Sequence, residues 1–144
     1  MIEYTVQVDN RYTKWYINKK LHRADGPAVE STTGDKSWYL NGQRHRTDGP
    51  AVEWNNGDKM WCLYGQLHST YGAAVESING TKEWYLNGHR HRTDGPAIEL
   101  PSGTKKWYLN GYEVTQAAVM KPVKQLTIAE IEGLLGHRIE VIAG

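Results

Sequence analysis

The stretch Trp38–Asp58, WYLNGQRHRTDGPAVEWNNGD, decides the fold because it returns every 23 residues. Trp15, Trp38, Trp61, Trp84 and Trp107 mark the step, with no insertion or deletion between them. His22, His45, His68 and His91 keep it, as do Glu30, Glu53, Glu76 and Glu99, and Gly34, Gly57, Gly80 and Gly103. A fixed period of this length marks a repeat architecture, in which one supersecondary unit buries its apolar face only by stacking on its neighbours.

Within the unit, Lys36–Leu40 reads as a strand and Asn41-Gly42 as a tight hairpin turn, since both residue types tolerate positive φ. A return segment runs through His45-Arg46. Asp48-Gly49-Pro50 turns again, Ala51-Val52-Glu53 resumes as a strand, and Asn56-Gly57-Asp58 leads into the next unit. The expected fold is mostly β: an elongated, single-layer antiparallel sheet spanning residues 1–115. Residues 2–8 supply an N-terminal strand, followed by a turn at Asp9–Tyr12. Period-2 alternation sorts the side chains onto two faces. One carries the five tryptophans with Ile17, Leu40, Leu63, Leu86 and Leu109, and is the expected core. The other carries Tyr16, Tyr39, Cys62, Tyr85 and Tyr108, expected to be partly wet.

Beyond Gly111, residues 116–124 read as an extended linker containing Pro122. Thr127 to Glu130 fits a capping box, Ile128, Ile131, Leu134 and Leu135 have helical spacing, and Gly136 is a natural stop. With the alternating HRIEVI of 137–142, this reads as a helix-strand cap over 125–143, closing the open sheet end.

The repeats form an internal alignment, and 59–81 (KMWCLYGQLHSTYGAAVESINGT) departs from it. Cys62 replaces Tyr, Tyr64 replaces Asn, Ser69 replaces Arg, Tyr71 replaces Asp and Ala73 replaces Pro. Arg and Asp vanish together here, yet both stay in Arg23/Asp25, Arg46/Asp48 and Arg92/Asp94, which implies that they pair.

Composition excludes several classes. Seventeen Lys and Arg against 16 Asp and Glu give a net charge of +1, without the basic stripe that nonspecific nucleic-acid binding needs. The single cysteine fits a reducing cytosol. The opening MIEYTVQVDN lacks the marks of a signal peptide, and no apolar run approaches the roughly 20 residues of a membrane span. No phosphate loop, dinucleotide fingerprint, zinc-protease or nucleophile-elbow motif occurs, so the chain reads as non-enzymatic and no cofactor is implied.

The repeated histidines invite a metal reading, but equivalent positions two strands apart lie roughly 9–10 Å apart and do not converge on one ion. A structural role is expected instead, each His bonding the neighbouring turn through the Asp three residues on. His22, His45, His68, His91, Asp25, Asp48 and Asp94 are therefore assigned with the tryptophans to structure. Cys62 reads as a small substitute in a packed file. The candidate partner-binding residues are Tyr16, Tyr39, Tyr85 and Tyr108, flanked by Arg23, Arg46 and Arg92, types enriched in interface hot spots. Tyr64 and Tyr71 of the deviant unit join them.

The unit resembles the MORN repeat in three features: Trp38 before the turn Gly42, His45 three residues after that Gly, and Gly57 before the next aromatic. The Arg after the His and the D-G-P-A segment depart from the MORN pattern. They resemble the WYxNGxxHRxDGPA repeats of small tailed-phage proteins, and the C-terminal TIAEIEGLLGHRIEVI also resembles a tail on phage-encoded proteins. The resemblance covers about residues 11–115. It implies a two-stranded β-unit and a role as scaffold or binding surface. A phage origin implies a cytoplasmic protein of an infected bacterium that binds and inhibits or redirects a host protein, a defence component included. Two other functions fit the same residues: a sponge holding a nucleotide signal between aromatic and Arg side chains, and a purely structural module.

Overall fold

The computed structural model describes residues 1–120, so the cap expected over 125–143 lies outside the described residues. The described chain is mostly β. Twelve strands form one antiparallel sheet. From edge to edge it runs Thr5–Val8, Tyr12–Ile17, Val29–Ser31, Lys36–Ser37, Val52–Glu53, Lys59–Met60, Val75–Glu76, Lys82–Glu83, Ile98–Glu99, Lys105–Leu109 and Tyr112–Val114. Lys20–Leu21 pairs beside Tyr12–Ile17 as the twelfth, and the two edges do not meet, so the sheet stays open.

The expected K-x-W-Y-L strand is continuous only in the first and last units, as Tyr12–Ile17 and Lys105–Leu109. In the three middle units it breaks at Trp38, Trp61 and Trp84, because each of these residues changes partners. Trp38 N–H donates to Ala51 O (2.8 Å) in the main sheet, while its own carbonyl accepts from His45 N (3.1 Å) in the return segment. Beyond the break, Tyr39–Leu40 pairs with Gln43–Arg44, Cys62–Leu63 with Gln66–Leu67, and Tyr85–Leu86 with His89–Arg90. The structure is thus a long sheet flanked by a row of two-stranded hairpins.

The hairpin turns are built as their sequence demands. Asn41 and Gly42 have φ of 51° and 85°, the doubly positive pair of a type I′ turn. Each turn is stitched to the preceding unit: Gly42 N–H donates to Leu21 O, Gly65 to Arg44 O, Gly88 to Leu67 O and Gly111 to Arg90 O, all at 2.8 Å. At the opposite edge, Asp35 Oδ1 accepts from Asn55 N and Asp58 Oδ1 from Ile78 N, at 2.8 and 2.7 Å. These ties between turns supply the stacking that two-residue strands lack by themselves.

The expected tryptophan core needs correction. The buried hydrophobic residues are Ala28, Ala51, Val52, Cys62, Ala73, Ala74, Ala97 and Ile98, and among the described residues no large side chain is fully enclosed. The tryptophans and their aliphatic partners Ile17, Leu40, Leu63 and Leu109 are half-buried, and Leu86 is exposed. A sheet without a second layer cannot cover an indole from both sides. The small core is instead the Ala whose carbonyl accepts the backbone N–H of Trp15, Trp38, Trp61 or Trp84, with Val52 or Ile98 after it in two units. The N-terminal strand is Thr5–Val8, paired in register from Thr5 opposite Tyr16 to Val8 opposite Thr13. Its turn forms at Asp9, whose Oδ1 accepts from Arg11 N and Tyr12 N, both at 2.8 Å. Where an extended linker was expected, Gln116–Val119 forms one helical turn capped by Thr115.

Candidate binding surface

One face of the sheet carries a motif repeated three times. Arg46 lies with its guanidinium carbon 3.9 Å from the centroid of the Trp38 ring, and Arg23 and Arg92 sit likewise over Trp15 (4.1 Å) and Trp84 (3.9 Å). The edge of the guanidinium is also engaged. Arg46 Nε donates to Asp48 Oδ1 (2.9 Å), and Nη1 donates to Pro50 O (3.2 Å) and Glu53 Oε1 (3.0 Å). Arg23 makes the same three bonds to Asp25, Pro27 and Glu30, and Arg92 to Asp94, Pro96 and Glu99. The planar fork matches a carboxylate at its edge while its face rests on the indole, which a lysine does not reproduce. Asp48 and Asp94 are held below the usual carboxylate range first by the hydrogen bond from their arginine.

The Arg and Asp that disappear together at 59–81 therefore do pair, within one repeat. Glu30, Glu53 and Glu99 are the third members. Sequence reasoning noticed their period without assigning them a partner, because Glu76 is retained in the deviant unit and the joint loss gave no hint of it.

The glycines complete the slot. A Cβ on Gly26, Gly49 or Gly95 would meet the arginine Cζ at 3.0, 2.9 and 2.7 Å. Only glycine lets the guanidinium descend onto the indole. Across the strands Glu53 faces Lys36 and Lys59, part of an alternating Glu-Lys file that runs along the same face from Glu30 to Lys105.

The tyrosines form the other file. Tyr16, Tyr39, Tyr85 and Tyr108 are half-buried, while Cys62 is buried in their line. Tyr16 donates to Gln7 Oε1 (3.3 Å), Tyr85 to Glu83 Oε2 (3.0 Å) and Tyr108 to Glu113 Oε2 (3.1 Å). Burial, then the Glu83 bond, pushes the Tyr85 hydroxyl above its ordinary value. Their cation is Arg90, 5.8 Å from the Tyr85 centroid and 5.6 Å from that of Tyr108, with Nη2 paired to Glu83 at 3.0 Å. The guanidinium groups of Arg23, Arg46 and Arg92 serve the tryptophans instead. Arg90 was missed because the return segment was read only from its His onward.

Each histidine reaches the turn of the following unit. Tyr64 N donates to His45 Nδ1 (3.2 Å), Asn87 N to His68 Nδ1 (3.3 Å), Asn110 N to His91 Nδ1 (3.0 Å) and Asn41 N to His22 Nδ1 (3.2 Å). A turn contact is expected, but neither this turn, which belongs to the next unit, nor the direct bond is, since the Asp belongs to the arginine. In His45 and His91 an Nδ1 that accepts an amide N–H leaves the ring proton on Nε2, whereas His22 and His68 also place Nδ1 at 2.9 and 3.1 Å from the side-chain oxygens of Asn41 and Asn87. Among the described residues no three His, Cys, Asp or Glu side chains converge into a metal-binding group. Burial raises the Cys62 thiol above its ordinary value, so the nucleophilic thiolate is disfavoured. No helix among the described residues is long and apolar enough to cross a membrane.

The deviant unit breaks this surface. Tyr71 is fully exposed, as are much of Tyr64 (61%) and Ile78 (74%). Tyr64 keeps the left-handed turn backbone of the Asn it replaces (φ 48°) and packs on His45 with ring centroids 4.2 Å apart. Comparison with protein-family models and with curated proteins finds no match to the chain. The fold and this surface define a mostly β repeat protein with one irregular unit.

Proposed function

We propose that this is a non-enzymatic binding protein of phage type, with MORN-like repeats, acting in the cytoplasm of an infected bacterium to bind and inhibit or redirect a host protein. The observation that supports binding is that one repeat exposes three large apolar or aromatic side chains, more than any other complete repeat; Ile2, Val6 and Val8 at the N-terminus form a separate exposed stretch. Tyr64, Tyr71 and Ile78 all lie within 59–81, where the sister repeats place Asn, Asp and a turn residue. Exposed aromatics among otherwise satisfied polar neighbours are what interface anchors look like. The phage and host parts of the reading rest on the repeat and tail resemblance. The arginines give less support to a nucleotide sponge, since Arg23, Arg46 and Arg92 are already neutralised by Asp and Glu on the surface that would hold a phosphate.

Native mass spectrometry of the tagged chain recovered from bacterial lysate tests this, with a Tyr64→Asn/Tyr71→Asp variant beside it. The expected result is an added protein mass on the wild type that the variant loses. A partner retained undiminished by the variant refutes the assignment of this unit. An added mass of a few hundred daltons would favour the sponge.

A further inference from the structure

The deviant unit has lost its arginine but kept most of the arginine's seat. Trp61 occupies the indole position, Glu76 the carboxylate position, Gly72 the glycine position and the Ala73 carbonyl the position of Pro50 O. Ser69, standing where Arg46 stands, is too short to reach any of them. Among the described residues no cation lies over the Trp61 ring, Glu76 has no ion pair or hydrogen-bonded side chain, and no side chain donates to Ala73 O. A Cβ on Gly72 would meet nothing within 4 Å, whereas at Gly49 it would strike Arg46 at 2.9 Å. A shallow hollow of about 300 Å³ adjoins the Trp61 ring, bordered by His68, Tyr71, Arg46 and Asp48; it lies between units, as do the grooves beside Trp38 and Trp84.

We propose that unit 59–81 binds an arginine side chain of a partner polypeptide, its guanidinium stacked on Trp61 and its edge donating to Glu76 and the Ala73 carbonyl. This rests on reading the chain as a binding protein and names the chemistry it recognises. The geometry is that of three occupied seats in the same chain, with ring distances of 3.9–4.1 Å. Lys59 and Lys82 face Glu76 across the strands, but Lys36 and Lys59 face Glu53 equally, and Glu53 still takes a guanidinium. Nearby Arg46 is itself neutralised by Asp48 and Glu53. Tyr71, in place of the Asp that would hold an internal arginine, adds an exposed aromatic wall to the rim. Arginine is favoured over lysine because the seat rewards a flat face and a donor fork together.

The probe is acetyl-Gly-Arg-Gly-amide, titrated against the full chain while the tryptophan indole N–H signals are followed by NMR, with Trp61→Phe assigning the relevant one. A saturable shift at Trp61 with a Kd of about 1–30 mM is expected for so small a ligand. The citrulline and lysine peptides should bind at least about fivefold more weakly, since neither offers a charged planar fork. Glu76→Gln should weaken binding by about five- to tenfold, the loss of one charge-assisted contact. Ser69→Arg with Tyr71→Asp supplies the arginine internally and should abolish the shift; Gly72→Val blocks the same space if that variant folds poorly. An equal response to citrulline, no saturable Trp61 shift, or a shift unchanged in these variants overturns the proposal. A host partner retained by Glu76→Gln and by Ser69→Arg/Tyr71→Asp, but lost in Tyr64→Asn/Tyr71→Asp, would sink the arginine seat and leave the binding role standing.

Discussion

Arg46→Ala should cost about 2–4 kcal/mol of stability, and the structure shows where that comes from. The guanidinium stacks on Trp38 at 3.9 Å in a half-buried setting, and such a contact contributes about 0.5–2 kcal/mol. The Nη1 bonds to Glu53 and the Pro50 carbonyl add about 1–2 kcal/mol, below the value of fully buried charged bonds because Glu53 is 36% exposed. Burial of the aliphatic stem, in a side chain only 21% exposed, supplies the remainder. Asp48 faces solvent and is left out of the sum; Asp48→Ala should lower the midpoint far less than Arg46→Ala. Arg46→Lys should fall between wild type and Arg46→Ala, keeping charge and stem while losing the planar fork. Urea unfolding followed by tryptophan fluorescence and far-UV circular dichroism measures this, with coincident transitions and an unchanged slope confirming that the midpoint reports stability. The effect should recur in Arg23→Ala and Arg92→Ala. A loss under about 0.5 kcal/mol, or a lysine variant as stable as wild type, would refute the view that the arginine is the cover the tryptophans otherwise lack. It also follows that charge reversal at Arg46 perturbs folding, so it is no clean probe of binding.

Gly49→Ala and Gly72→Ala are the same change in two units with opposite surroundings. The first should displace Arg46 from Trp38 and lower the urea midpoint by about 1–2 kcal/mol equivalent, while the second should stay within about 0.5 kcal/mol of wild type. His91→Phe leaves the Asn110 amide without its acceptor and should cost about 1 kcal/mol, measured in the same unfolding experiment. Acid should weaken the fold. Asp35, which accepts from Asn55 N, and Asp48 and Asp94, which accept from arginines, all have folded-state pKa values lowered from the ordinary one. Their contribution is present above the unfolded value of about 4 and is lost as pH falls through the lowered folded values, so the urea midpoint should drop as the pH is taken below about 4. Asp35→Asn keeps an acceptor for Asn55 without the proton uptake, and should blunt that drop.

Much of this molecule was legible because each unit is its own control. The period, the mostly β character, the Asn-Gly turns and the Arg–Asp pairing came from comparing 23-residue units with one another. One further signal was available and went unused: Thr81 replaces Asp35 and Asp58 in the unit whose turn partner is Pro101, which has no N–H to donate. Local chemistry of this kind acts over a few bonds, so a repeat exposes it whether or not the stacking is known.

What the stacking adds was beyond the sequence. A 23-residue period says that His45 has a constant neighbour, but not that it is the turn of the next unit, 19 residues on. Alternation says that the tryptophans share a face, but not that a guanidinium covers them in place of a second layer. The same holds for the break in each strand at Trp38, Trp61 and Trp84, where the backbone divides its hydrogen bonds between the sheet and the hairpin row. These outcomes depend on the rise and register between repeats. Backbone hydrogen bonds across the stack set both, and no residue spacing within one unit encodes them.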